Sequence, residues 1–215
     1  MKKEALKRIF EFLEEKENHN IPFLWKLKNK MPLIEKDLNI EGDLDLSDTN
    51  ITSLPKGLKV NGYLNLYGCK YLKYLPKELV VWGNLWLNNT KINSLPEDLK
   101  VGQDLDLSTS SIKTLPKGLA VGGDLLLLRT PITYLPEGLT IGGDLDLSES
   151  QIMSLPKGLE VGGNLALDAT KITSLPEGLE VNENLYIAYT ELEKYIDDEL
   201  REMVKPGFIK GKIYR

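Results

Sequence analysis

The dipeptide Leu-Pro occurs seven times, at Leu54, Leu75, Leu95, Leu115, Leu135, Leu155 and Leu175, spaced by 21 residues once and by 20 thereafter. Between these points one sentence recurs, clearest in the stretch LPKGLAVGGDLLLLRTPITYL from Leu115 to Leu135. A fixed period of this size belongs to chains that stack one structural unit on the next, each touching only its neighbours. Such a solenoid keeps its repeat-invariant residues inside and displays its variable ones. Functional residues are therefore sought where the repeat is broken.

Within the unit GGDLDLSESQI, residues 142–152, the positions of Leu145, Leu147 and Ile152 are apolar in every copy. The first two alternate with polar residues, the signature of a short strand with one buried face. Asp144, Asp146 and Ser148 then point outward. The inward column runs Leu44, Leu64, Leu85, Leu105, Leu125, Leu145, Leu165 and Leu185, which makes eight coils. Parallel strands about 4.8 Å apart give a sheet roughly 35–40 Å long.

Three residues beyond the second leucine stands a small polar column: Thr49, Cys69, Thr90, Ser110, Thr130, Ser150, Thr170 and Thr190. A hydroxyl there can bond the turn backbone of its own or the next coil and close the corner. Cys69 replaces one hydroxyl. As the single cysteine it forms no internal disulfide, and the only histidine, His19, lies far off in the N-terminal segment. The chain offers no cysteine nucleophile with a base.

The pattern resembles the leucine-rich repeat, whose core is LxxLxLxxNxL. Leu105-Asp106-Leu107, Ser110 in the Asn slot and Ile112 fit it, although the first leucine of that core is replaced by Gly or another residue. The Leu-Pro step and the twenty-residue period are similar to the short repeats of bacterial secreted effectors and of small phage and bacterial proteins. The resemblance covers roughly residues 34–192. It implies a stack of parallel strands and a recognition role, and leaves the partner open, because this fold serves many. The ligase domain of the effectors has no counterpart in these residues.

Twenty residues leave no space for a full helix on the outer side of a coil. Proline after leucine fixes an extended or turn geometry, and Gly57, Gly118, Gly138, Gly158 and Gly178 permit the bend. The pairs Gly122-Gly123, Gly142-Gly143 and Gly162-Gly163 mark the corner before the strand. They resemble the glycine-rich calcium repeat, but that motif recurs every nine residues. No lysine and helix start follow them, as a phosphate loop requires. Neither cofactor nor metal is expected. After each Leu-Pro stands Lys56, Lys77, Glu97, Lys117, Glu137, Lys157 or Glu177, alternating in sign from Lys77 onward. Opposite charges one strand apart attract, so this column is expected to fix coil order.

A solenoid needs caps over its terminal leucines. Residues 3–17 place Leu6, Ile9, Phe10 and Leu13 on one helical stripe. With Phe23, Leu24 and Trp25 they predict an N-terminal helical cap over residues 1–33. Residues 34–190 form the solenoid, and residues 191–215 the C-terminal cap. In that cap a helix over 191–204 presents Leu192, Tyr195, Ile196, Leu200 and Val204 on one face and ends at Pro206-Gly207. FIKGKIYR, residues 208–215, reads as one or two short strands. The fold class is thus a mainly β repeat solenoid of about eight coils, capped by helices.

The net charge of −5 is unevenly spread. Residues 205–215 carry four bases and no acid, and residues 1–36 carry nine bases and six acids, so residues 37–204 hold −5 − 4 − 3 = −12. An acidic body argues against nucleic acid or anionic lipid and for a basic protein partner, since phosphates need a basic surface. Glu4, Glu11, Glu14 and Glu15 interrupt any apolar signal core, and no run reaches the length of a membrane span. A cytoplasmic location is the expectation, with export as an effector the alternative.

Three outward sites per coil carry the variation. The first reads Asp43, Tyr63, Asn84, Asp104, Asp124, Asp144, Asn164, Asn184, regular enough for a turn or capping role. The second reads Asp45, Asn65, Trp86, Asp106, Leu126, Asp146, Ala166, Tyr186, and varies freely. The third reads Ser47, Tyr67, Asn88, Ser108, Leu128, Ser148, Asp168, Ala188. Two apolar islands emerge: Tyr63, Tyr67 and Trp86 on adjacent strands, and Leu126 with Leu128. Between them Asp104, Asp106, Asp124, Asp144 and Asp146 form an acidic strip. Exposed Trp and Tyr are favoured hot-spot residues. An open sheet offers no pocket in which an Asp pair would work as acid and base, so no enzyme is expected. The expectation is a non-catalytic recognition module that binds a protein through Tyr63, Tyr67, Trp86, Asp104, Asp106, Leu126, Leu128 and Asp146. The alternative is an acidic inhibitor that blocks the basic site of a nucleic-acid-handling or defence enzyme.

Overall fold

The structure, a computed structural model, describes residues 21–215. The helical stripe expected over residues 3–17 lies outside the described residues. The chain divides into two compact units, residues 1–39 and 40–215.

In the first unit helix α1 (Phe23–Lys28) follows Pro22, whose fixed φ suits a helix start. A 3-10 turn, Glu35–Leu38, comes after it. Lys26 is fully buried, and its Nζ lies 2.7 Å from both carboxylate oxygens of Asp37. Asp37 also accepts the Ile34 amide at 2.9 Å. A buried ammonium is tolerated only when paired in this way. Leu24 and Trp25 are exposed.

The second unit is a β-solenoid that makes about seven turns from the first to the last of its eight repeat coils. Each coil contributes two strands of two residues, and these build two parallel sheets of nine strands each. The front sheet holds the Leu-Xaa pairs, from Leu44–Asp45 to Leu185–Tyr186, and ends on Ile213–Tyr214. The back sheet, from Asn39–Ile40 through strands such as Val80–Val81, Ala120–Val121 and Glu160–Val161 to Phe208–Ile209, is absent from the sequence reading, which has one strand per coil. Register is strict: Leu125 lies beside Leu105 and Leu145, and Ile141 beside Val121 and Val161.

The core lies between the sheets and under the Leu-Pro turns. One coil, for example, buries Ile132, Leu135, Leu139, Ile141, Leu145 and Leu147. The hydroxyl column closes corners as expected: Thr90, Thr130 and Thr170 donate to the carbonyl three residues back at 2.6 to 2.7 Å. Cys69 is fully buried, and its Sγ donates to the Leu46 carbonyl at 3.1 Å. The thiol is a corner-closing group of the same column. At the glycine corner, backbones of successive coils touch. A methyl group on Gly142 would meet the Gly122 carbonyl closer than heavy atoms can come.

Two expectations need correction. Of the alternating Lys/Glu column, only Lys157 and Glu177 form an ion pair among the described residues, at 2.9 Å, and Lys56 pairs instead with Glu78. These side chains are long and well exposed, so their attraction in water does not hold one geometry. The segment 191–204 is also not one helix. A 3-10 turn, Glu191–Lys194, is broken at Tyr195 and Ile196 before helix α2 (Asp197–Met203) begins. The break turns Ile196 outward while Leu192, Leu200 and Val204 stay buried. FIKGKIYR supplies the ninth strand of both sheets, as the reading of two short strands expects.

Candidate functional site

The front sheet presents its three outward columns on one surface, because side chains two residues apart share a face. Its central row runs in register through Asp45, Asn65, Trp86, Asp106, Leu126, Asp146, Ala166, Tyr186 and Tyr214. Across the three columns of the eight repeat coils, 24 positions, stand eight aspartates and not one lysine or arginine, in a chain with 27 basic residues. Within these repeat coils the acidic charge has no cation in its own columns to balance it; Lys212, in the first column of the ninth strand, stands at the far end.

The first column is structural. One carboxylate oxygen of Asp104 accepts the Asp124 amide at 2.9 Å, Asp124 accepts from Asp144 at 2.8 Å, and Asp144 from Asn164 at 2.7 Å. Asn164 and Asn184 continue the ladder to the Lys212 amide. Each Asx side chain thus secures the coil above it. Asp104 belongs to this ladder through one carboxylate oxygen. Tyr63 is the one position in the column without an Asp or Asn side chain, so a break in a structural ladder supplies an aromatic ring.

In the second column Asp106 and Asp146 each accept the amide two residues on, from Ser108 and Ser148, both at 2.8 Å. Asp45 does the same with Ser47, whose hydrogen bonds hold its carboxyl below the ordinary range. The sequence motif Asp-Leu-Ser is therefore a local device that aims the carboxylate. Leu126 lies between Asp106 and Asp146 in register, and both Leu126 and Leu128 are half-buried. Asp168, in the third column, accepts the Ala188 amide at 2.7 Å. Burial pushes its carboxyl up, and Asp146 and Glu193 add to the rise.

The aromatic island is one assembly. The rings of Tyr63 and Trp86 stand 4.9 Å apart and are tilted by 32°, at a centroid distance within the range of interacting aromatic pairs. Beside the indole lies a shallow open concavity of about 260 Å³, lined by Asn65, Tyr67, Trp86, Asn88 and Asp106. Tyr63 is not in its wall and steadies Trp86 from outside. Of the residues expected to bind a partner, the fold brings together Tyr63, Tyr67, Trp86 and Asp106. Leu126, Leu128 and Asp146 lie one to two strands further along the same face.

Sequence reasoning missed three features. Asn65 and Asn88 complete the concavity, and as unremarkable members of polar columns they gave no signal. Tyr186 and Tyr214 stack at 4.9 Å and 13° at the other end of the row, about 24 Å from Trp86 at five strand spacings. Tyr186 departs from its column, but its partner lies outside the repeats.

Among the described residues no group of three or more His, Cys, Asp or Glu side chains is placed to hold a metal, and no helix is long and apolar enough to cross a membrane. No family model matches the chain, and no curated protein matches it significantly in sequence.

Proposed function

We propose that the chain is a non-catalytic recognition module of the leucine-rich-repeat kind, which binds a protein through its front sheet. The observation that carries this reading is the Tyr63–Trp86 pair beside an open concavity, on a face whose eight repeat coils place no basic residue in their outward columns. A rigid paired aromatic loses little entropy on contact and buries much area, which is the profile of an interface anchor. The acidic row around it favours a partner with a basic surface, and such matching acts mainly on association rate and specificity. Leu126 and Leu128 extend the contact, flanked by Asp106 and Asp146.

The test is capture of partners from lysate of the source cells with wild-type protein and Trp86→Ala side by side. Trp86 is half-buried on the outer face and its strand is held by backbone bonds to both neighbours, so the variant keeps its fold. Partner binding weakens by about 2 kcal/mol or more. Equal capture by both proteins removes the front sheet as the site.

The charge segregation also favours a second reading: an acidic inhibitor that occupies the basic site of a nucleic-acid-handling or defence enzyme. Competition by nucleic acid and a steep loss of affinity with salt distinguish it from ordinary recognition.

A further inference from the structure

Trp86 and Asp106 are register neighbours on adjacent strands, and both line the same concavity. One oxygen of Asp106 accepts the Ser108 amide, and the carboxylate makes no ion pair among the described residues. The side chain of Asn88 makes no hydrogen bond among them either. Asn65 uses its amide oxygen on the Tyr67 amide at 3.0 Å, which holds the wall in place. A side chain that is long and flat, cationic at the tip and rich in donors would meet every one of these groups. At 260 Å³ the space equals roughly eight waters. It is smaller and more open than the pockets that enclose small molecules, about 300–1,000 Å³. It suits one side chain projecting from a larger partner.

We propose that the concavity is a slot for an arginine side chain of a protein partner, with the guanidinium against the Trp86 indole and paired with the Asp106 carboxylate. The proposal rests on the reading of the front sheet as a protein-binding face and names the chemistry of its anchor. Arginine is favoured over lysine because a planar guanidinium stacks on an aromatic ring and still directs donors sideways in its plane, here toward Asp106 and the Asn88 amide oxygen. Tyr63, packed against the indole, keeps the ring from collapsing into the empty slot. The absence of any Lys or Arg from the outward columns of the eight repeat coils leaves no cation of these columns beside the site to compete for it.

The probe is N-acetyl-arginine methylamide, with the citrulline analogue as its uncharged isostere, followed by the indole N–H signals of the three tryptophans. Saturable movement of the Trp86 signal with the arginine compound is expected, with the citrulline compound and the Trp25 and Trp82 signals as silent controls. Asp106→Asn keeps an oxygen for the Ser108 amide and so keeps the turn, and it should weaken the response about tenfold. Equal response to citrulline, no response to arginine, or indifference to Asp106→Asn overturns the slot. A displayed peptide library selected on the intact protein separates the two levels. Binders that need Trp86 and lose affinity when their arginine is replaced by citrulline support the proposal. Binders that need Trp86 but carry no arginine overturn the slot and leave the binding face standing. If no binder depends on Trp86, both fall.

Discussion

The Arg201 guanidinium donates to the Ile209 carbonyl, the acceptor that the backbone of a further coil would occupy. Its second nitrogen takes the Gly211 carbonyl at 2.7 Å. In the preceding coils the equivalent carbonyls are met by backbone amides: Val121 by Gly142 at 3.0 Å, and Gly123 by Gly143 at 2.9 Å. One side chain from α2 thus takes the place that two amides of a neighbouring coil hold elsewhere in the stack. It blunts an edge that would otherwise invite pairing with another chain.

Replacing Arg201 should therefore be felt at the edge of the back sheet. Two charge-assisted bonds are lost, and two carbonyls are left without donors, at a cost of about 2–3 kcal/mol. Arg201→Met is expected to lower the melting temperature and to speed exchange of the Lys210 and Gly211 amides, which hold the last strand to Val181 and Glu183. Light scattering should show association that rises with concentration. A variant with wild-type exchange at these two amides would show that the cap lies elsewhere.

A second prediction concerns backbone strain. Asp48, Asn89, Thr109, Arg129, Glu149, Ala169 and Tyr189 occupy one column, and all have φ between 52° and 59°. The left-handed region costs a residue with a Cβ roughly 1–2 kcal/mol. Ala169 has no side-chain bond to offset it, so Ala169→Gly should raise stability by about 1 kcal/mol, reduced by the entropy glycine adds to the unfolded chain. Chemical denaturation of the two proteins measures the difference. Destabilisation would mean that the alanine methyl group makes contacts that outweigh the strain.

That column also shows where the sequence stops being readable. The inward leucines are legible because burial demands one chemistry at Leu105, Leu125 and Leu145, coil after coil. The left-handed column is exposed, so Asp, Asn, Thr, Arg, Glu, Ala and Tyr all occur there, and only Gly68 hints at the conformation. The back sheet is hidden for a related reason. Its strands have one buried residue each, such as Val121 or Ile141, and one free neighbour, such as Ala120, Thr140 or Glu160. Two residues are too few for alternation to register. Tyr63 and Trp86 stand out because they interrupt polar columns. The concavity beside Trp86 takes its walls from three adjacent strands, a juxtaposition that composition does not encode.

The first unit offers a test of buried charge. Lys26 is fully enclosed, and its one ion-pair partner among the described residues is Asp37. Removing the carboxylate takes from a buried ammonium its one ion-pair partner among the described residues, so Asp37→Ala should destabilise this unit by about 3–5 kcal/mol. Lys26→Met combined with Asp37→Leu should come much closer to wild type, because no unpaired charge remains. Limited proteolysis around residues 29–34 of the intact chain reports on this unit without averaging over the solenoid. Equal protection of Asp37→Ala and wild type would mean that the ammonium finds water.

Asp168 should give the solenoid a pH dependence of unusual sign. Most paired carboxylates stabilise a fold once ionised, but burial raises the pKa of this one, and Asp146 and Glu193 oppose its charge. The unfolded chain then ionises more readily, near the ordinary aspartate pKa of about 3.9. Below that value both states are protonated and nothing is lost. As pH rises through the higher folded pKa, stability falls by the full linkage term. Asp168→Asn retains an oxygen for the Ala188 amide and carries no charge. It should be more stable than wild type at neutral pH, and the difference should vanish near pH 3, below both pKa values. Urea midpoints of the two proteins across this range isolate the residue, since the two chains differ at this one position. A variant less stable than wild type at neutral pH would show that the ionised carboxylate's bond to Ala188 outweighs its burial.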